Sequence, residues 1–124
     1  MAHKILLAED SASTRSLVVS ALEMLGDVEV VEAASGFEAL KSLPREKFDV
    51  IITDINMPDI NGLELLSFVK QNRLYQHIPL IIITSEVSAR DEEKGRALGA
   101  DEYLVKPVDP DRLQQVVRRY LGKP

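Results

Sequence analysis

Four places in the chain set a residue capable of chemistry at the end of a short apolar run. Glu9 and Asp10 follow Ile5-Leu6-Leu7-Ala8, and Asp54 follows Val50-Ile51-Ile52-Thr53. Thr84 and Ser85 follow Leu80-Ile81-Ile82-Ile83, and Lys106 follows Tyr103-Leu104-Val105. Placed on one rim of a sheet, these residues bring together three carboxylates, a hydroxyl and an ammonium. A carboxylate pair about 4 Å apart repels by roughly 4 kcal/mol at an effective dielectric near 20. Lys106 alone does not offset three such charges, whereas a divalent cation does. Mg²⁺ takes oxygen ligands and commonly uses one or two carboxylates plus a phosphate. That chemistry suits Glu9, Asp10 and Asp54, with Mn²⁺ as an alternative for the same oxygens. A carboxylate beside such an ion, a lysine and a hydroxyl can serve as a phosphoryl acceptor of the aspartyl-phosphate kind. The cation and Lys106 would neutralise the oxygens of the transferring group, and the Thr84 hydroxyl would bond to one of them after transfer.

Positioning these groups requires a sheet whose strands all run the same way. Five short runs read as strands: Ile5–Ala8, Val28–Val31, Val50–Ile52, Leu80–Ile83 and Tyr103–Val105. Unbroken apolar runs such as Leu80–Ile83 are those of strands covered on both faces, while Glu29 and Glu32 mark the second run as an edge strand. Helical patterns separate them. Leu17, Val18, Ala21, Leu22 and Leu25 share one helical face, and Gly26 follows as a stop signal at C′. Ser35-Gly36-Phe37-Glu38 has capping-box spacing. Leu63, Leu66 and Val69 mark a third helix after the breaker pair Pro58-Asp59. A fourth, the least amphipathic, runs from about Ser88 to Leu98 and stops at Gly99. Asp109-Pro110 opens the last, whose inner face is Leu113, Val116, Val117, Tyr120 and Leu121. Strand–helix alternation of this kind predicts an α/β fold with a parallel sheet between two helix layers. Five strands favour the flavodoxin-like (βα)5 order 2-1-3-4-5, in which ligands bind beyond the carboxyl ends of the strands.

Composition narrows the function further. The chain has 124 residues, the size of one domain, and we read residues 1–124 as a single domain. It contains no cysteine, which excludes disulfides, thiol catalysis and thiolate metal sites. Its net charge of −5 opposes direct nucleic acid binding. No apolar run reaches the roughly 20 residues of a membrane-spanning helix, so no membrane insertion is expected.

Plainer roles compete for each residue. Asp54 could cap a turn, Glu9-Asp10 could cap the first helix, and Tyr103 could simply pack on the sheet. The charged run Arg90-Asp91-Glu92-Glu93-Lys94 reads as a solvated helix face, as do Arg118 and Arg119, and His3 and His77 as surface residues. The register of Glu9, Asp10, Asp54 and Lys106 favours chemistry over capping. An aspartyl-phosphate phosphatase would need an acid two positions after its nucleophile, where this chain has Asn56. A nucleotide or flavin module would cradle phosphate in Ser11-Ala12-Ser13-Thr14, beside two carboxylates that repel it.

At these residues the sequence resembles the receiver domain of two-component response regulators, above all the single-domain chemotaxis type. The resemblance runs from Lys4 to Leu121. It rests on Leu7-Ala8-Glu9-Asp10, Ile52-Thr53-Asp54-Ile55-Asn56-Met57-Pro58-Asp59, Gly62, Ile83-Thr84-Ser85, Gly99-Ala100-Asp101 and Tyr103-Leu104-Val105-Lys106-Pro107. It implies that Asp54 is the phosphoacceptor, fed by a sensor histidine kinase or by acetyl phosphate. It implies Mg²⁺ held by Asp10 and Asp54, by the Asn56 backbone carbonyl and, through water, by Glu9. Lys106 then pairs with the phosphoryl group, and Lys106-Pro107 is expected to be a cis peptide. Thr84 and Tyr103 form the relay to a docking face of helix 4, strand 5 and helix 5, where a downstream target binds. Glu9 stands where Asp is commoner. Ser85 stands where Ala or Gly is frequent, and with Asn56 and Glu86 it is expected to tune the lifetime of the phosphorylated state. The same resemblance implies a prokaryotic cytoplasmic protein that catalyses only its own phosphorylation and slow dephosphorylation. It would be a monomer or a phosphorylation-dependent dimer, stand-alone or cut from a larger regulator or hybrid kinase. A receiver that only docks is the remaining variant.

Overall fold

A computed structural model describes residues 2–85 and 89–122, without the side chains of residues 89–91. Five strands, β1 (His3–Ala8), β2 (Val28–Ala33), β3 (Val50–Asp54), β4 (Leu80–Thr84) and β5 (Glu102–Val105), alternate with five helices, α1 (Ala12–Glu23), α2 (Gly36–Ser42), α3 (Gly62–Gln71), α4 (Ala89–Ala97) and α5 (Pro110–Tyr120). The strands form one parallel sheet in the order β2-β1-β3-β4-β5, as the alternation of runs predicts. Asp54 and Thr84 are the last residues of their strands rather than the first residues beyond them.

Strand alternation divides the core in two. Leu6, Ala8, Ile51, Leu80 and Ile82 face the layer that includes Leu65, Leu66 and Val69 of α3. Ile5, Leu7, Val50, Ile52, Ile81 and Ile83 face Val18 and Leu22 of α1 and Leu113, Val116 and Val117 of α5. β3 and β4 are buried along their whole length, and the edge strand β2 is half-exposed with its glutamates outward. Each fully buried Leu or Ile contributes about 1.5–3 kcal/mol, so the central strands hold the rim in place.

Some expectations shift in detail. Leu17 lies on the expected face of α1 yet is 42% exposed, because the sheet covers only the stripe of Val18, Ala21 and Leu22. The C-cap of α1 is Met24, which places Gly26 at C″; it and Asp27 both adopt positive φ. Ser35 caps α2 by accepting from the Glu38 N–H, but the full reciprocal capping box belongs to Asn61 and Glu64 of α3. Asp109 caps α5 with Pro110 in the first turn, as expected. Ser88, the expected start of the fourth helix, lies outside the described residues.

Candidate functional site

Register alone brings the reactive residues to one end of the sheet. Ala8 pairs with Thr53, so Glu9 follows level with Asp54. Asp54 pairs with Ile83, which puts Thr84 one residue further out, and Thr84 pairs with Val105, immediately before Lys106. The Lys106 N–H donates to the Thr84 carbonyl at 2.8 Å, continuing that alignment past the end of β5.

The side chains converge. Carboxylate oxygens of Glu9, Asp10 and Asp54 lie within 4.8 Å of one another. Glu9 is fully buried and Asp54 is 4% exposed, while Asp10 is open to solvent. Lys106 Nζ lies 2.7 Å from Glu9 Oε1 and donates to Asp54 Oδ2 at 3.1 Å. The first contact is a close ion pair that fastens Glu9 to Lys106, and Glu9 Oε1 is buried with no further hydrogen-bonding partner among the described residues. Glu9 Oε2 accepts from the Ser11 N–H at 3.0 Å, and Asp54 Oδ1 accepts from the Asn56 N–H at 3.4 Å. Burial pushes the Glu9 carboxyl above its usual range, against the pull of Lys106 and the Ser11 amide. Burial also works against the charge on Lys106, but Glu9 and Asp54 more than compensate and leave its pKa raised.

This donor set fits a hard divalent cation. Three carboxylates cluster with an ammonium paired to only two of them, the ligand atoms are all oxygen, and one acid opens to water. Neighbouring residues hold the backbone behind these acids. Arg15 Nη1 donates to the Glu9 carbonyl at 2.7 Å, and Arg15 Nε pairs with Glu32 at 3.4 Å. Thr53 Oγ1 donates to the Asp54 carbonyl at 2.9 Å. Gly62 is required by close approach, since a Cβ there would overlap the Asp54 carbonyl. Sequence reasoning passed over Arg15, whose partners are a backbone oxygen and a residue of another strand, neither marked by a motif.

A response regulator receiver domain model matches residues 5–118. The chain belongs to the response regulator receiver domain family. Over 120 residues it is 36% identical to a chemotaxis protein CheY homologue of Campylobacter jejuni, covering 96% of this chain and 92% of that one. The solved structure of the chemotaxis protein CheY4 of Vibrio cholerae matches with a TM-score of 0.89 at 38% identity, covering 97% of this chain and 99% of the other. The receiver domain of a sensor histidine kinase from Pseudomonas aeruginosa matches with a TM-score of 0.88 at 27% identity over 99% of this chain and all (100%) of the other. Its structure holds a magnesium ion coordinated in the active site cleft. The chain is therefore a CheY-like receiver of the two-component class.

Of the remaining expected positions, Thr84, Ser85 and Pro107 lie at the same rim, while Tyr103 stands level with Ile82 within the sheet. Thr84 is fully buried at the end of β4. Tyr103 is half-buried against the α3–α4 side of the core, its ring 3.8 Å from where a Cβ on Gly95 of α4 would stand. Ser85 is exposed beside Thr84, and the Lys106-Pro107 peptide is cis. Glu86 lies outside the described residues. On β5, Val105 is 42% exposed. Glu92 and Arg96 pair on the solvent side of α4, and Arg119 reaches Glu102. Of the motif Gly99-Ala100-Asp101, Asp101 is a brace: its Oδ2 accepts from the Leu80 N–H at 2.8 Å and from Lys70 Nζ at 3.1 Å. A cleft of about 580 Å³ lined by Leu43, Phe48, Leu74, Tyr75 and Ile78, among others, contains none of the site residues. No helix among the described residues is long and apolar enough to cross a membrane.

Proposed function

We propose that this receiver is a phosphorylation-activated switch with Asp54 as its phosphoacceptor. The observation that carries the reading is the convergence of Glu9, Asp10 and Asp54 at the carboxyl ends of the strands, with Lys106 paired to Glu9 and Asp54. Asp10, Asp54 and the Asn56 carbonyl, with Glu9 acting through water, would hold Mg²⁺, which would supply positive charge for the phosphoryl oxygens. Asp54 attacks phosphorus: an oxygen–phosphorus bond forms, and the phosphorus–nitrogen bond of a kinase phosphohistidine breaks. The electron pair leaves with the imidazole, which takes up a proton. Lys106 already bonds to Asp54 Oδ2, and after transfer its ammonium turns to the new phosphoryl oxygens. The Thr84 hydroxyl bonds to another of those oxygens. Tyr103, packed beside Gly95, moves between outward and inward positions as Thr84 shifts and changes the face formed by α4, β5 and α5.

The cognate donor is a sensor histidine kinase, and the output is a change of affinity for a target on the α4–β5–α5 face. Such coupling is a population shift worth a few kcal/mol. Asn56, Ser85 and Glu86 tune the lifetime of the aspartyl phosphate. We read residues 1–124 as one receiver domain working in a prokaryotic cytoplasm, in a chemotaxis- or motility-type pathway, that turns over no diffusible product beyond its own phosphate. Intact mass after incubation with acetyl phosphate and Mg²⁺ tests this. One added phosphoryl group, absent in Asp54→Asn and abolished by EDTA, is the expected result. Incorporation that persists in Asp54→Asn refutes the assignment.

A further inference from the structure

The loop that follows the phosphoacceptor is fastened to a neighbouring helix by a side chain outside the expected site. Residues 55–61 join β3 to α3 and begin beside Asp54, whose Oδ1 receives the Asn56 N–H. At its far end the loop closes onto its own start. The Gly62 N–H donates to the Ile55 carbonyl at 2.8 Å, and Gly62 packs against the Asp54 carbonyl. Ile55 and Met57 are buried below it. Its outer edge lies against α2, where Gly36 leaves no room for a Cβ beside the Ile60 carbonyl.

Asp59 completes that contact as a fork. Its Oδ1 accepts from the Gly36 N–H at 3.2 Å and its Oδ2 from the Phe37 N–H at 3.0 Å. The first N–H groups of a helix have no partner inside it. Here Ser35, the helix's own cap, takes the Glu38 N–H, and a carboxylate 22 residues further along the chain takes the two before it. A negative charge is also favoured at that end of the helix dipole. The bonds work in both directions: they cap α2, and they hold the loop that carries Asn56.

The geometry points to Asp59 as a positioning residue, which uses the start of α2 to hold the Asn56 carbonyl toward the metal-dependent phosphoacceptor site; this rests on the reading of that site given above. A residue that only caps α2 would have the same effect as Ser35, so the two substitutions separate the roles. Asp59→Ala and Ser35→Ala each remove cap bonds from one helix, but only the first releases the loop. Mg²⁺ titration by calorimetry is expected to show a dissociation constant raised about tenfold in Asp59→Ala, the usual size for loss of a residue that orients a ligand. Ser35→Ala is expected to bind like the unsubstituted chain, and Asp59→Asn, which keeps one acceptor oxygen, to recover part of the loss. In metal-free protein, amide hydrogen exchange at Asn56 and Met57 should quicken in Asp59→Ala and not in Ser35→Ala. Equal exchange in the two variants, or undiminished Mg²⁺ affinity in Asp59→Ala, overturns the inference. If the unsubstituted chain takes up no Mg²⁺, the metal reading falls instead, and the exchange comparison alone decides whether Asp59 holds the loop.

Discussion

Replacing Lys106 with methionine isolates what holds three carboxylates together without a metal. Methionine keeps much of the side chain's length and packing and removes its charge. At 2.7 and 3.1 Å, the ammonium attracts Glu9 and Asp54 by roughly 5–6 kcal/mol each at an effective dielectric of about 20. Desolvation of the ammonium returns several kcal/mol of that. Removing one partner of a buried pair costs about 3–5 kcal/mol, because the opposite charge stays behind. Lys106 is itself only partly buried, its side chain 19% exposed, and water screens part of the loss. The expected destabilisation in EDTA is therefore near the low end, about 3 kcal/mol. For a chain of this length that is a fall in Tm of roughly 10 °C. Urea unfolding followed by far-ultraviolet circular dichroism measures it, the chain having no tryptophan to report instead. Mg²⁺ should then stabilise the variant more than the parent, since a ligand that binds only the folded state adds stability by mass action and the cation replaces the missing charge. Equal stability of parent and variant in EDTA would refute the reasoning, because it would mean that Lys106 does not hold the cluster together.

Other predictions follow from single contacts. Asp101→Ala leaves the Leu80 N–H without its acceptor and takes one acceptor from Lys70, which keeps the Ile78 carbonyl at 2.7 Å, and should cost about 2 kcal/mol in urea unfolding. Gly62→Ala drives a Cβ into the Asp54 carbonyl. It should destabilise by about 3 kcal/mol and depress phosphorylation by acetyl phosphate more than its stability loss explains. The amides of Ile60, Phe37 and Gly36 hold the Asp59 carboxyl below its usual pKa. Its folded value thus lies under the unfolded value of about 3.9, so its contribution is present above that pH and is lost as the pH falls through the folded value. The parent should therefore melt above Asp59→Asn at neutral pH, with the gap narrowing as the pH falls below the unfolded value; a gap that does not narrow on acidification would count against the fork.

The sheet was legible in the sequence because its signal is local. Leu80–Ile83 is apolar at every position, as only a strand covered on both faces needs to be, and Glu29 and Glu32 mark β2 as an edge without reference to any partner. Helix faces were legible less completely. Periodicity places Leu17 with Val18 and Leu22 but does not record how wide a stripe the sheet covers, and Leu17 lies outside it. Capping spacing is weaker still. Ser35 and Glu38 have the interval of a reciprocal pair, yet the amides between them are capped by Asp59 from another loop. Nothing in the seven residues of α2 announces that partner.

The candidate site shows the same division between local and distant information. That Glu9, Asp10, Asp54, Thr84 and Lys106 share a rim follows from each ending an apolar run, given one parallel sheet. Which of two adjacent acids is buried does not follow. Glu9 is enclosed and paired with Lys106, 97 positions away, whereas Asp10 faces water. The difference has a chemical consequence. A fully enclosed carboxylate is suited to holding the lysine and an ordered water, and an open one to exchanging ligands with solvent. The groups that hold the rim from behind, Arg15 on the Glu9 carbonyl and Asp59 on the first turn of α2, are more hidden still, because they act on backbone atoms that carry no residue identity. A sequence therefore exposes the residues that would touch the phosphoryl group sooner than those that hold them in place, and the latter are where a structure adds most to the account of this switch.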